Sequence, residues 1–453
     1  AYLAPALFWS RQNEQRVVIA TNTIALQEQL IEKEIPQAQA LLARSGLESV
    51  QTALLKGRNN YLCLRRLQEW IGRRRLSDHE LSILARVLVW LPTTRTGDVG
   101  ELFLPAPNDR AVWQQICSDS ATCTPARCSG RPGVRDFYWD AHRRAQSAHL
   151  LIVNHALLIA DLSANGRLLP AYSHLIVDEA HRLEEATTDQ LTAIIDWRKL
   201  RRQLERLSLE GDLMQAALAL ADRGGQDGLS EHLASVTIAS RQAISGLLRF
   251  ADSLRIFARQ HKEARRDAGY AQRLALDSRT RSQPEWSEIE IEWDNAGRPL
   301  QRVVGELQDV LEQMVARQWQ SSEPESRYLA QFRAISTDLE TAATQIGQIV
   351  FQPVGGAEQS LVAWLEYTEN KRDRGDGEAR LICAPLYVGD RLQESLIYRC
   401  RTTVFTGATL RSGPDFRYIR ERLGLWDAGA ISIPSPYDYK QNALLIMPQN
   451  LPA

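Results

Sequence analysis

Three short runs of this chain, Arg16-Val17-Val18-Ile19-Ala20, His149-Leu150-Leu151-Ile152-Val153 and Leu175-Ile176-Val177, carry aliphatic residues at consecutive positions instead of every second one. A strand that is apolar on both sides has to be covered on both faces, the situation of a parallel sheet between helical layers. Each run stops at polar residues: Thr21-Asn22-Thr23, Asn154-His155 and Asp178-Glu179-Ala180-His181. A further run, Thr402-Thr403-Val404-Phe405, leads into Thr406-Gly407-Ala408-Thr409-Leu410. After the first run, Ile24, Leu26, Leu30 and Ile31 recur at helical spacing up to Pro36, which makes a strand–turn–helix unit, half of a βαβ motif. The fold class this predicts is α/β. Open parallel sheets do their chemistry where polar side chains gather at the carboxyl ends of the strands.

At 453 residues the chain exceeds one ordinary core, so two to four domains are expected. Its 44% hydrophobic and 24% charged content are those of a globular protein. No apolar run approaches the ~18 residues of a bilayer span. The stretch Ala1 to Trp9 lacks the basic start and cleavage flank of a signal peptide. No membrane partner is expected, and the expected compartment is the cytoplasm. The chain opens at Ala1 inside a helix-like pattern and closes just after a strand-like run, Ala443 to Met447. The expectation is a piece of a longer protein.

The net charge of −1 hides an asymmetry, because residues 56–146 hold 15 Lys+Arg against 9 Asp+Glu. A basic module on an acidic body points to a polyanionic partner. The same module holds four of the six cysteines: Cys63, Cys117, Cys123 and Cys128. Clustered cysteines in a cytosolic chain favour metal ligation over disulfides. Four thiolates suit tetrahedral zinc or a [4Fe–4S] cluster, and spacing alone does not choose. Arg65, Arg66, Arg73, Arg74 and Arg75 offer phosphate contacts. Tyr61, Trp70, Trp113, Phe137, Tyr138 and Trp139 offer either base-stacking surfaces or core. Cys383 and Cys400 read as buried core thiols.

From about Glu184 to Ser360 the chain turns to long amphipathic helices, with Leu300, Val303, Val304, Leu307, Leu311 and Met314 as a helix-packing stripe. Strand signals resume at Leu361 to Tyr367 and at Arg380 to Cys383, separated by a charged loop, Lys371 to Gly377, that reads as a solvated hairpin. The expectation is one sheet interrupted twice, by a cysteine-bearing insertion and by a helical one.

Adjacent acids at the end of a buried strand can divide the tasks of phosphoryl transfer to water, one holding a metal and the other positioning the nucleophile. The order of parts resembles the DinG-type branch of the XPD-like iron–sulfur DNA helicases of superfamily 2. Val18-Ile19-Ala20-Thr21-Asn22-Thr23 with Leu26 to Leu30 is similar to the family's Ia motif. Lys56-Gly57-Arg58-Asn59-Asn60-Tyr61-Leu62-Cys63 is similar to the segment with the first cluster cysteine, and Thr96-Gly97-Asp98 with Glu101-Leu102 to a further signature. Val153 to Leu158 resembles the strand before motif II, Leu175 to His181 motif II, Phe405 to Leu410 motif III, and Ser435-Pro436-Tyr437 the start of the second motor domain.

The resemblance implies a RecA-like parallel-sheet motor domain interrupted by a four-cysteine iron–sulfur domain and an all-helical arch domain. Its parts would be motor at 1–55, 137–185 and 361–428, cluster domain at 56–136, arch at 186–360, and the start of a second motor domain at 429–453. It implies ATP-driven unwinding of 5′→3′ polarity on single-stranded and forked DNA in repair or replication, with RNA–DNA hybrids as further candidate substrates and a monomeric chain. Asp178 would hold Mg²⁺ of bound ATP, Glu179 would orient water, and His181 would link the site to neighbouring motifs. Thr406 and Thr409 would relay nucleotide state through their hydroxyls. Cys63, Cys117, Cys123 and Cys128 would hold a [4Fe–4S] cluster, and Thr21, Asn22, Thr23, Arg65, Arg66 and Asn154 would meet nucleic acid. One departure bears on activity: no G-x-x-x-x-G-K-[ST] occurs in the 453 residues. The 453 residues alone are therefore expected neither to hydrolyse ATP nor to unwind DNA. The rival reading is a non-catalytic, zinc-stabilised nucleic-acid-binding protein with a vestigial Asp-Glu-Ala-His, and a second alternative couples the motor to an upstream nuclease domain.

Overall fold

The computed structural model describes residues 2–44, 46, 50–72, 76–120, 122–128, 135–223, 227–261, 272–316, 323–351, 361–369, 377–435, 437–444 and 446. Arg73, Arg74 and Arg75 and most of the 371–377 loop lie outside them. Nine strands occur among these residues: β1 (Val17–Thr21), β2 (Thr52–Leu54), β3 (Leu150–Asn154), β4 (His174–Val177), β5 (Ala193–Ile194), β6 (Gln272–Ala275), β7 (Leu361–Glu369), β8 (Gly377–Pro385) and β9 (Thr402–Phe405).

The consecutive aliphatic runs build one parallel five-stranded sheet in the order β2-β3-β1-β4-β9. Its central strand β1 is buried at all five positions, and its side chains divide between two cores. Val17 and Ile19 join Ile152 and Ile176 in packing against Leu3, Leu7, Leu30 and Ile35. Val18 and Ala20 face the other way, into a core that continues without a break into the cysteine-bearing module through Trp70, Ile83 and Trp113. Each such side chain contributes about 1.5–3 kcal/mol when fully buried, so the module is welded to one sheet face by ordinary apolar packing. Within it, Ser77 and Glu80 form the reciprocal capping box that starts the helix Asp78–Trp90.

The helical unit contains Trp197–Arg206, Asp212–Arg223, Asp227–Gln260, Pro284–Ala316 and Glu323–Phe351 around a separate core. The stripe at Leu300, Val303, Val304, Leu307 and Met314 is buried there, with Leu311 partly so. The strands β7 and β8 correct the expectation of a resumed parallel sheet. They pair antiparallel with each other and with β6 and β5, in a sheet of order β5-β8-β7-β6. The reason is in their pattern: Ala363, Leu365 and Tyr367 are buried on every second residue, the signature of a strand covered on one face. β5, before the helices, and β7 and β8, after them, thus share a sheet whose Leu365, Leu381 and Cys383 join the helical core. The aliphatic run at 443–447 forms no strand among its described residues, where Leu444 is 86% and Ile446 73% exposed. No helix among the described residues is long and apolar enough to cross a membrane.

Candidate active site and metal centre

The carboxyl ends of β1, β3, β4 and β9 share one edge of the sheet because all four strands run parallel. Backbone bonds lock that edge: Asp178 N–H donates to the Ala20 carbonyl at 2.8 Å, Thr406 N–H to Val177 at 2.9 Å, and Ala180 N–H to Thr406 at 3.0 Å. The link between the fourth strand end and the acid pair is thus made by backbone, and the expected bond through the Thr406 and Thr409 hydroxyls is not seen; Thr409 is exposed.

Asp178 is held at both oxygens. Oδ1 accepts the Glu179 N–H at 3.0 Å, and Oδ2 accepts the Tyr2 hydroxyl at 2.7 Å. Burial and the carboxylate beside it push the Tyr2 hydroxyl far above the ordinary tyrosine value, so it stays a proton donor. Glu179 takes a left-handed backbone conformation at φ +49°, which is costly for a residue with a side chain and recurs at functional sites. Its carboxylate lies 3.3 Å from His181 Nδ1. The buried His155 donates from Nε2 to the Asp178 carbonyl at 2.9 Å, and burial lowers its pKa. Tyr2 and His155 received no role from sequence because each reaches Asp178 only through the fold.

Of the residues expected to meet nucleic acid, Thr23 is exposed and caps the next helix by accepting the Leu26 N–H at 3.2 Å, and Asn22 is half-buried. Asn154 caps the helix His155–Ser163 through Leu157 N–H at 2.8 Å. Thr21 is fully buried, so its side chain faces the interior instead of a strand of DNA. Arg65 and Arg66 also differ from expectation. Arg65 donates to the Thr122 carbonyl at 3.1 Å and approaches Cys123 Sγ at 3.6 Å. Arg66 donates to the Gln114 and Gln115 carbonyls at 2.8 and 3.1 Å. These guanidiniums pin the last turn of the helix Pro107–Ile116 and the loop of Cys123 after it through backbone carbonyls. Arg58 does the same, donating to the carbonyls of Asp119 at 2.9 Å and Cys123 at 2.7 Å while lying over the Tyr138 ring. Tyr61, Trp70, Trp113, Phe137 and Tyr138 are core, not stacking surfaces; Trp139 is half-buried.

Cys63, Cys123 and Cys128 converge in a pocket of their own. Cys123 Sγ lies 3.6 Å from Cys63 Sγ, and Cys63 Sγ lies 3.8 Å from Cys128 Sγ. Hydrogen bonds from Cys128 and Cys63 drive the Cys123 thiol well below its ordinary range, while its bond to Cys123 raises Cys63. Cys117 stays outside this trio. It is buried, its backbone pairs with Leu62, and its thiol donates to the Gln114 carbonyl at 3.6 Å; burial pushes it up to about 11. Three soft donors with an arginine beside them fit a thiophilic metal centre. Their spacing is close to the ~3.8 Å edge of a tetrahedron built on metal–sulfur bonds of ~2.3 Å. Cys383 is buried in the helical unit, as expected of a core thiol, whereas Cys400 is only half-buried.

Sequence reasoning also missed Lys56. It is 2% exposed, with its ammonium against Asp98 and 3.2 Å from Glu28. Its backbone N–H donates to the Tyr61 hydroxyl at 3.0 Å. It ties the helix after β1 to the loop that pairs with Tyr61 and Leu62, and a lysine in a basic-looking segment gives no sign of being internal.

No protein-family profile matches the chain. Individual curated proteins do, along its whole length. It is 27% identical to the 3'-5' exonuclease DinG of Bacillus subtilis, across 99% of this chain and 47% of that protein. It is 28% identical to the ATP-dependent DNA helicase YoaA of Escherichia coli, across 100% of this chain and 61% of that one. The ATP-dependent helicase DinG of Mycobacterium tuberculosis is also 28% identical, with the same two coverages. The chain thus spans about half to three fifths of the length of these relatives. A solved XPD helicase aligns with a TM-score of 0.35 and 8% identity over 93% of this chain and 59% of its own, a likeness too slight to bear on the argument.

Proposed function

We propose that this chain, whose homologues along its full length include proteins named as DinG and YoaA helicases, supplies the first motor domain of an ATP-dependent DNA helicase, with its two insertions. The observation that carries the reading is the acid pair Asp178–Glu179 at the carboxyl end of β4, inside a parallel sheet and bonded through backbone to both neighbouring strand ends. In a protein that also provides a phosphate-binding loop, Asp178 would hold the Mg²⁺ of ATP, usually through water, and Glu179 would orient the attacking water. Bound Mg²⁺ supplies charge neutralisation of the transferring phosphoryl group. The chain's own work is to keep the two carboxylates apart and aimed, through Tyr2 on one side and the left-handed turn at Glu179 on the other. Thr406 reports on the site through its peptide group, bonded to Val177 and Ala180.

The cysteine module would hold the metal centre through Cys63, Cys123 and Cys128, with Cys117 as the fourth ligand of a [4Fe–4S] cluster. Thr23, Asn22 and Asn154 line the sheet edge where single-stranded DNA would pass, while Arg65, Arg66 and Arg58 act one step back by shaping the cysteine loop. Unwinding of forked DNA with 5′→3′ polarity, action on RNA–DNA hybrids, a role in repair or replication, a cytoplasmic setting and a monomeric state complete the reading.

The test is DNA-stimulated ATP hydrolysis by the full-length protein. Glu179→Gln is expected to lower kcat by at least ~10²-fold, the scale of losing a group that acts only in the transition state, with ATP binding retained. An unchanged kcat would overturn the catalytic reading and favour a vestigial motif. A colourless protein that contains zinc and no sulfide would favour the zinc-stabilised binding protein.

A further inference from the structure

Tyr2 is an uncharged side chain delivered to the acid pair from the far side of the sheet. It directly precedes the helix Leu3–Gln12, whose Leu3, Ala6 and Leu7 are buried against the sheet, so its phenol is carried by a rigid element. The hydroxyl donates to Asp178 Oδ2 at 2.7 Å while Oδ1 accepts the Glu179 N–H at 3.0 Å. A carboxylate oxygen has two acceptor positions. With one position on each oxygen filled by a fixed donor, the plane of the Asp178 carboxylate is set, and the remaining positions point away from both donors. Lysine or arginine in place of Tyr2 would neutralise the charge that attracts a cation, whereas a phenol orients the carboxylate and leaves its charge intact.

We infer that Tyr2 is a positioning residue that fixes the Asp178 carboxylate for a divalent cation, an inference that rests on the reading of Asp178 as the cation's carboxylate. Partners of this kind, one bond removed from the metal, are worth ~10–100-fold in metal affinity or activity.

The experiment is Tyr2→Phe in the full-length protein, which removes one oxygen and keeps the ring that packs on the sheet. Mn²⁺ binding is titrated by electron paramagnetic resonance with a non-hydrolysable ATP analogue present. ATP hydrolysis is measured against Mg²⁺ concentration. Tyr2→Phe is expected to weaken Mn²⁺ binding by about 10-fold or more, to raise the Mg²⁺ needed for half-maximal rate by the same factor, and to recover kcat at saturating Mg²⁺. A merely structural tyrosine would lower thermal stability and leave both metal measurements unmoved, and that result overturns the inference. Asp178→Asn is run beside it. Loss of Mn²⁺ binding there, with Tyr2→Phe unaffected, refutes the role of Tyr2 alone; retention of Mn²⁺ binding and hydrolysis by Asp178→Asn refutes the reading of Asp178 and the inference with it.

Discussion

Replacing Lys56 by Met should loosen the start of the cysteine module, where Lys56 holds the loop of Asp98. The ammonium is 2% exposed and lies against Asp98, whose side chain is 13% exposed. Removing one partner of a buried ion pair leaves the other charged and desolvated, at a cost of about 3–5 kcal/mol. The second partner, Glu28, is 47% exposed, and such a pair adds only about 0–1 kcal/mol. Met fills the space of the lysine stem, which sets the expectation at the lower end, about 3 kcal/mol. Native-state hydrogen exchange is the suitable assay, because a chain with several cores does not unfold in one step. The Leu62 amide, bonded to the Gly97 carbonyl at 2.9 Å, and the Gly100 amide, bonded to Asp98 Oδ1 at 2.9 Å, report on this part of the module. Both should exchange roughly 100-fold faster, the equivalent of about 3 kcal/mol. The double variant Lys56→Met with Asp98→Asn should recover about half of the loss, since Asn keeps the bond to Gly100 without a buried charge. Exchange within about 3-fold of the parent in the single variant, or a double variant no better than the single, would refute the reasoning.

Serine in place of Cys63, Cys123 or Cys128 should abolish metal binding, measured as iron, sulfide and zinc content with visible absorption. Serine at Cys117 should also remove the cluster, and a Cys117→Ser protein with its full iron and sulfide would end the four-ligand reading. The buried His155 gives a pH dependence. Its folded pKa is lowered, so the unfolded chain takes up a proton first, and stability falls as pH drops below about 6.5 until the folded pKa is reached. His155→Gln should flatten the pH dependence of native-state exchange protection at the Asp178 amide between about pH 7 and 5, with a residual slope from His142 and His174, which are lowered as well.

The parallel sheet was legible because Val17 to Ala20, Leu150 to Val153 and Leu175 to Val177 are apolar at every position, and only double burial makes that pattern tolerable. The acid pair was legible for the same reason, since it follows directly on one of those runs. The strands β7 and β8 were recognised as strands but assigned to the wrong sheet, although the alternation of Ala363, Leu365 and Tyr367 carried the correct answer. Arg65 and Arg66 misled because a guanidinium aimed at a phosphate and one aimed at backbone carbonyls of its own module have the same sequence. Tyr2, Lys56 and His155 were out of reach for another reason: each acts on a residue far away in the chain, and no local pattern marks such a partnership.

The pairing of β5 with β8, Ala193 beside Cys383 and Ile194 beside Ile382, has a consequence for how the molecule assembles. The neighbours β4 and β9 end and begin at residues 177 and 402, so closing the sheet directly would enclose a very long loop. Once the helical unit has formed around its own core, its entry and exit points stand side by side. The loop that remains to be closed is then only the two short connectors, and the entropic cost of bringing β9 home falls accordingly. A unit with a core of its own can fold as a guest and hand back both ends of the chain together. A short turn joining residue 192 to residue 386 should therefore leave the five-stranded sheet able to form.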